Sequence, residues 1–196
     1  MIKMDVYLPR EDSYLLQKQI RKFVKPDFSV LDMGTGSGIQ AIEAARYCKK
    51  VLAVDINSEA LVLAKKNADS AKLFNITFVQ SDLFKNIGSD KNFDLILFNP
   101  PYLPDPEEES DNEAVKSRHL ALDGGKTGVE LIAKFLSEAK FHLKKDGQNP
   151  GRILMIYSSL TKGFDDVVKR EGFSVRVLDE QSFFMERIYA ALLSRK

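Results

Sequence analysis

Apolar residues fall along the chain in two alternating rhythms. From residue 12 or 13, Leu16, Ile20 and Phe23 recur at i, i+4 and i+7, the spacing of one helical face, and the pattern stops before Pro26. Short runs follow at 29–32, 51–55, 76–80, 93–98 and 153–157, several of them apolar throughout, as strands covered on both faces must be. Helical spacing returns between them over 39–47, 58–69 and 129–145, with Gly147 closing the last at a C-cap position. Residues 162–170 predict another helix, and 173–178 and 186–193 predict two closing strands near enough to pair as antiparallel neighbours. The alternation predicts a doubly wound α/β sheet with helices on both faces. No repeat or low-complexity linker interrupts residues 1–196, which predict one domain preceded by a short helix over about residues 12–25.

Composition narrows the functional classes. Lysine plus arginine (29) nearly balances aspartate plus glutamate (28), so no global field draws the chain toward nucleic acid or membrane. The single cysteine, Cys48, forbids an internal disulfide, and with His119 and His142 it offers no metal-ligand spacing. A reducing, cytoplasmic compartment is the expectation. The first twelve residues lack the apolar stretch of a signal peptide, and no apolar run approaches roughly 18 residues.

Chemistry is concentrated where strands end. After the first strand comes Asp32-Met33-Gly34-Thr35-Gly36-Ser37-Gly38, a turn whose glycines let the backbone approach a ligand at a helix N-terminus. Its Gly-x-Gly-x-Gly spacing lacks the glycine arrangement that makes room for a pyrophosphate, and Asp32 would repel one. Asp55 ends the second strand, placed to accept from a ribose diol, and Asp82 follows the third, placed to accept from an adenine amine. Singly, each aspartate serves equally well as a turn or helix cap. Together they favour a cofactor with an adenosine, an ammonium group and no phosphates.

The fourth strand runs into Asn99-Pro100-Pro101-Tyr102, which opens the longest irregular stretch, residues 99–127. Prolines cannot join a ladder, but they hold a turn rigid and leave the Pro100 carbonyl as an acceptor. The Asn99 side-chain oxygen is a second acceptor, and two rigid acceptors converging on one point suit a planar NH2 group. Tyr102 can pack its ring over that group. Alone, the segment also reads as an ordinary proline-rich turn.

The segments "VLDMGTGSG", "VLAVDIN", "VQSDLF" and "FDLILFNPPY" resemble the successive motifs of class I S-adenosylmethionine-dependent methyltransferases over nearly the whole chain. That resemblance implies a Rossmann-like, seven-stranded, mostly parallel sheet of order 3-2-1-4-5-7-6, and S-adenosylmethionine as cofactor. "VYLPREDSYLL" and "LALDGGKTGVELI" resemble the signatures of HemK-type glutamine methyltransferases, and the short chain resembles their eukaryotic and archaeal branch. By this resemblance Ser13, Asp32, Gly34, Gly36, Gly38, Asp55, Asp82, Leu83 and Asn99 bind the cofactor, and Asn99, Pro100, Pro101 and Tyr102 hold the substrate. Ser13 stands where the family often has threonine, which preserves the hydroxyl.

The resemblance implies N5-methylation of the glutamine in the Gly-Gly-Gln tip of a class 1 peptide chain release factor. It also implies a small zinc-binding activator subunit on the edge of the third strand, for which residues 73–79 are the candidate, although their apolar content reads equally as core. The acidic run 105–113 repels phosphates and attracts a basic protein, although it also reads as a solvated loop. Asp123, Gly124 and Gly125 are expected to shape the returning chain. Alternatives are methylation of an adenine N6 or guanine N2 in RNA or DNA, methylation of protein lysine, and a non-catalytic adapter.

Overall fold

The computed structural model describes residues 6–103, 127–145 and 147–196. Its elements are α1 (Glu11–Phe23), β1 (Ser29–Met33), α2 (Ile39–Ala45), β2 (Lys50–Asp55), α3 (Ser58–Ser70), β3 (Ile76–Gln80), β4 (Leu95–Phe98), α4 (Glu130–His142), β5 (Arg152–Ser158), α5 (Phe164–Arg170), β6 (Phe173–Phe183) and β7 (Glu186–Arg195). The strands form one sheet in the order β3-β2-β1-β4-β5-β7-β6. The first five are parallel; β7 runs antiparallel to β5, and β6 antiparallel to β7. This is the sheet implied by the sequence motifs.

The chain turns in opposite directions from β1 and β4, so their carboxyl ends flank the crevice where ligands bind in such sheets. All four residues of β4 are buried, each contributing about 1.5–3 kcal/mol by leaving water. α1 lies across α2, β5, β6 and β7, with Leu15, Leu16 and Ile20 in the core. Its first turn carries Glu11 and Asp12 and its last Arg21 and Lys22, each sign matching the helix dipole. Gly38 caps α2 with φ +85°, and a Cβ there would meet the Ala64 Cβ at 3.0 Å. The turn between β1 and α2 is thereby pressed against α3. None of the helices among the described residues is long and apolar enough to cross a membrane.

Several boundaries differ from the periodicity. The helix expected to reach residue 145 stops at His142, because Leu143 turns extended and bridges Phe93, and Gly147 therefore lies beyond the helix end. β4 begins at Leu95 rather than at residue 93: the Asp94 carboxylate accepts the Ser29 N–H at 2.7 Å and pairs with Lys144 at 2.6 Å. α2 ends at Ala45, two residues before Tyr47, and α5 starts at Phe164, behind Gly163 in the left-handed region. β6 continues through polar Asp179 to Ser182, with a bulge between Val177 and Asp179. On this edge strand the polar stretch replaces apolar alternation with a hydrogen bond, Asp179 accepting from buried Gln19 of α1 at 2.8 Å.

Candidate active site

A cavity of about 830 Å³ opens at the carboxyl ends of β1, β2, β3 and β4, bounded also by α1 and the start of β7. Among the described residues, five carboxylates border it, from Glu11, Asp12, Asp55, Asp82 and Glu186, against a single guanidinium, that of Arg10. Such a balance suits a cationic ligand and disfavours a polyphosphate.

The glycine turn forms its floor. Gly34, Gly36 and Gly38 all have positive φ. Beneath the turn, fully buried Asp32 accepts the Thr35 hydroxyl at 2.6 Å and the Ala41 N–H at 3.0 Å. Asp32 and Gly38 do not themselves border the cavity; they shape the loop that does, through Gly34 and Gly36. Burial, only partly opposed by these two hydrogen bonds, pushes the Asp32 pKa from its ordinary 3.8 to about 7. The folded protein therefore holds this proton more tightly than the unfolded chain does. The resulting stability is fully present below 3.8 and is lost as the pH rises through about 7. Asp32→Asn keeps an acceptor for both donors, so its melting temperature is expected to lack this part of the pH dependence. Thermal melts of both proteins across that window check this, and parallel curves would refute it.

Asp55 is oriented by the N–H groups of Gly36 and Asn57, both at 2.9 Å, and burial raises its pKa. Asp82 is half-exposed, tied to Lys85 at 2.6 Å and Lys134 at 3.2 Å; the Lys85 hydrogen bond leads the causes that lower its pKa. Leu83 borders the cavity with φ +48°, a conformation rare for a branched side chain and characteristic of functional sites. Ile56, 53% exposed, faces the same space.

Asn99 and Tyr102 converge with Ser13, as the motifs lead one to expect, but the centre of that cluster is Asp12. Its carboxylate accepts from the Tyr7 hydroxyl (3.0 Å), the Asn99 amide nitrogen (3.0 Å), the Ser13 N–H (2.6 Å) and, at 3.5 Å, the Tyr102 hydroxyl. A carboxylate only accepts, so Asn99 must turn its NH2 toward Asp12, which leaves its oxygen as the remaining acceptor. Burial, together with the Asp12 charge, raises the pKa of both tyrosines, keeping them as hydroxyl donors. The Tyr102 carbonyl accepts from buried Thr161 at 2.8 Å, and a Cβ on Gly128 would collide with it.

Among the described residues, the buried side-chain polar atoms lacking a hydrogen-bond partner are Gln40 Oε1, Asn99 Oδ1 and Glu186 Oε1. All three are acceptors, and all three residues border this cavity. Gln40 is oriented by donating to the Ser13 carbonyl at 2.8 Å. A ligand set bearing several N–H donors is what such a surface lacks.

Asp12, Gln40 and Glu186 were not among the sequence candidates. A signal existed for Asp12, which shares the buried face of α1 with Leu16 and Ile20 although it is charged. The candidates at 104–126, including the acidic run, His119 and Asp123 to Gly125, lie outside the described residues. Of the side chains assigned no chemistry, His142 stacks on Phe84 at 4.6 Å and Cys48 is buried.

Comparison with known proteins agrees with this geometry. A family model described as a methyltransferase domain matches residues 24–182. A chain of Methanocaldococcus jannaschii named as a protein N5-glutamine methyltransferase is 40% identical over 88% of this chain and 83% of its own length. The chain belongs to the HemK-type protein-glutamine methyltransferases.

Membership in this methyltransferase family implies S-adenosylmethionine as the general methyl donor. Two bacterial HemK-type relatives are named release factor glutamine methyltransferases: that of Rhodopirellula baltica is 40% identical over 63% of this chain, that of Lactococcus lactis 36% over 75%. This chain spans 44% and 56% of their lengths, respectively. Among solved structures, the E. cuniculi Mtq2–Trm112 complex, described as responsible for methylation of the eRF1 termination factor, superposes with TM-score 0.72. It is 23% identical, with 98% of this chain and 100% of that one covered, and attests the fold alone.

Proposed function

We propose that this HemK-type enzyme acts as one domain that transfers a methyl group from S-adenosylmethionine to the N5 atom of a glutamine. The target is the Gly-Gly-Gln tip of a class 1 peptide chain release factor. The observation that carries the reading is the Asn99 oxygen, a buried acceptor without a partner on a residue that borders the cavity, while Asp12 holds its amide nitrogen.

The residues present fit the cofactor. Asp55, fixed by two backbone N–H groups, suits the ribose diol, and Ile56 and Leu83 suit the faces of an adenine. Asp82 suits the adenine amine, in competition with Lys85 and Lys134. Gln40 Oε1 and the surrounding carboxylates suit an ammonium group near Ser13 and Gly34. When bound, S-adenosylmethionine supplies a methyl group on an electrophilic sulfonium.

The chain's own residues then orient the nucleophile. An amide nitrogen is weak because its lone pair is delocalised, so placement and hydrogen bonding must do most of the catalysis. Asn99 Oδ1 and the Pro100 carbonyl accept the two amide hydrogens, favouring a more pyramidal nitrogen and aiming its lone pair at the methyl carbon. Tyr102, only 9% exposed, packs over the amide and excludes water. With S-adenosylmethionine held by Asp55, Leu83 and the glycine turn, its methyl group would pass to the amide nitrogen, its sulfur would leave as a neutral thioether, and the nitrogen's surplus proton would leave through the open mouth of the cavity once transfer is complete.

The β3 edge supports a small zinc-binding activator as partner. Among the described residues β3 pairs only with β2, and the neighbouring Phe74 is 82% exposed. A free strand edge invites an added strand.

Labelled S-adenosylmethionine incubated with the enzyme, with and without the activator, and with wild-type or glutamine-to-alanine release factor tests the reading. Label on the wild-type factor alone is the expected result. Label on neither, from enzyme that binds the cofactor, would redirect the search to RNA, DNA or lysine substrates.

A further inference from the structure

Of the three unpartnered acceptors, Gln40 and Asn99 have donors in the scheme above, whereas Glu186 has none. Glu186 opens β7, and because β7 runs antiparallel to β5, its first residues lie beside Ser158 at the carboxyl end of β5. The hairpin joining β6 to β7 is thus carried to the mouth of the cavity, which Phe183, Glu186 and Ile188 border together with Tyr102 and Leu103. Glu186 has a buried oxygen, Oε1, that has no hydrogen-bond partner among the described residues.

The hairpin tip breaks the rules of turn chemistry in the same place. Phe183 pairs with Glu186, leaving Phe184 and Met185 as a two-residue connection. Such turns favour asparagine and glycine, yet here Met185 has φ +69°. The side chains there are also apolar and open to solvent, with Phe184 95% and Met185 82% exposed. Local features that oppose folding and are kept together mark a functional element.

We propose that the β6–β7 hairpin is a substrate-reading arm. In it, Glu186 accepts a main-chain N–H of the glutamine-bearing turn, and Phe184 and Met185 pack on that turn's flank. The inference rests on the protein-substrate reading above. Both hydrogens of the target amide are already taken by Asn99 and Pro100, so the donor left for Glu186 is backbone. A turn built of small residues presents such N–H groups without side-chain obstruction. The continuity of the tip with the reacting cavity assigns the exposed apolar pair to the same partner rather than to a separate one.

Steady-state kinetics with release factor as the varied substrate, in the presence of the activator, tests the arm. Glu186→Ala is expected to raise KM for the release factor about tenfold, the effect of one charge-assisted hydrogen bond, with kcat changed less than about twofold. Glu186→Gln keeps an acceptor oxygen and is expected to recover most of that loss. Phe184→Ser, at a side chain outside the core, is expected to raise KM about fivefold without changing the melting temperature. Affinity for S-adenosylmethionine, measured by calorimetry, should match wild type in all three. Unchanged KM in Glu186→Ala and Phe184→Ser, with an active wild type, would overturn the arm and leave the proposed reaction standing. A loss confined to cofactor affinity would overturn it equally. A wild type that binds cofactor but does not label the release factor would remove the protein-substrate reading and the arm with it.

Discussion

Asn99→Ala is expected to lower kcat about a thousandfold, at the upper end of what one preorganised polar group contributes in a closed site. The affinity for S-adenosylmethionine should stay within about threefold of wild type, because the larger part of that ligand would rest on Asp55, Leu83 and the glycine turn. The reason for so large an effect is geometric. The Asn99 oxygen is buried, is unpaired among the described residues, and is aimed by its neighbour, so it needs no reorganisation when an amide arrives. Asn99→Asp tests charge separately: it retains an acceptor but places a second carboxylate against Asp12, and should also lose most activity. Single-turnover assays with saturating cofactor measure the chemical step directly, and a kcat within tenfold of wild type in Asn99→Ala would refute the assignment.

Asp12→Ala is expected to lower kcat about a hundredfold and to cost roughly 2–4 kcal/mol of stability, since several donors lose one acceptor in a buried place. Tyr7, Tyr102, the Ser13 amide and Asn99 all point at this carboxylate. Asp12 acts on the reaction through Asn99, as a positioning residue. Asp12→Asn separates that role from stability: it preserves volume but no longer dictates which way the Asn99 amide faces. Its melting temperature should lie near wild type while kcat falls about tenfold. Equal fractional losses of stability and rate in the two variants would make Asp12 structural only. Chemical denaturation and single-turnover kinetics on both variants distinguish these outcomes.

What could be read from the sequence was local. Apolar runs identify the buried parallel strands because both of their faces are covered, and the carboxylates at their ends announce themselves by following such runs directly. Asn99 to Tyr102 stood out because prolines cannot continue a ladder. Legibility failed where a role depends on distant partners. Gln40 looks like an ordinary polar residue of α2, and only the approach of α1 brings the Ser13 carbonyl to its nitrogen. Glu186 looks like the polar start of a closing strand, and its place at the cavity mouth follows from the antiparallel pairing of β7 with β5. Strand length failed for a related reason: Asp94 reads as part of a strand, but its side chain is drawn to Ser29 and Lys144. Likewise Leu143 reads as one more helical turn, while in the fold it buries as an extended residue beside Phe93.

The seat of α1 bears on biosynthesis. The helix that carries Asp12 packs on β5, β6 and β7, and buried Gln19 donates to Asp179 of β6 at 2.8 Å. α1 precedes β6 and β7 in the sequence, so it leaves the ribosome before two of the surfaces it packs on. A nascent chain halted before residue 173 already contains the glycine turn and Asn99, yet lacks two of the surfaces that hold α1 and the hairpin bearing Glu186. Competence thus waits for residues 173–195, and a copy without them carries the motifs of the enzyme without the arrangement that lets them react.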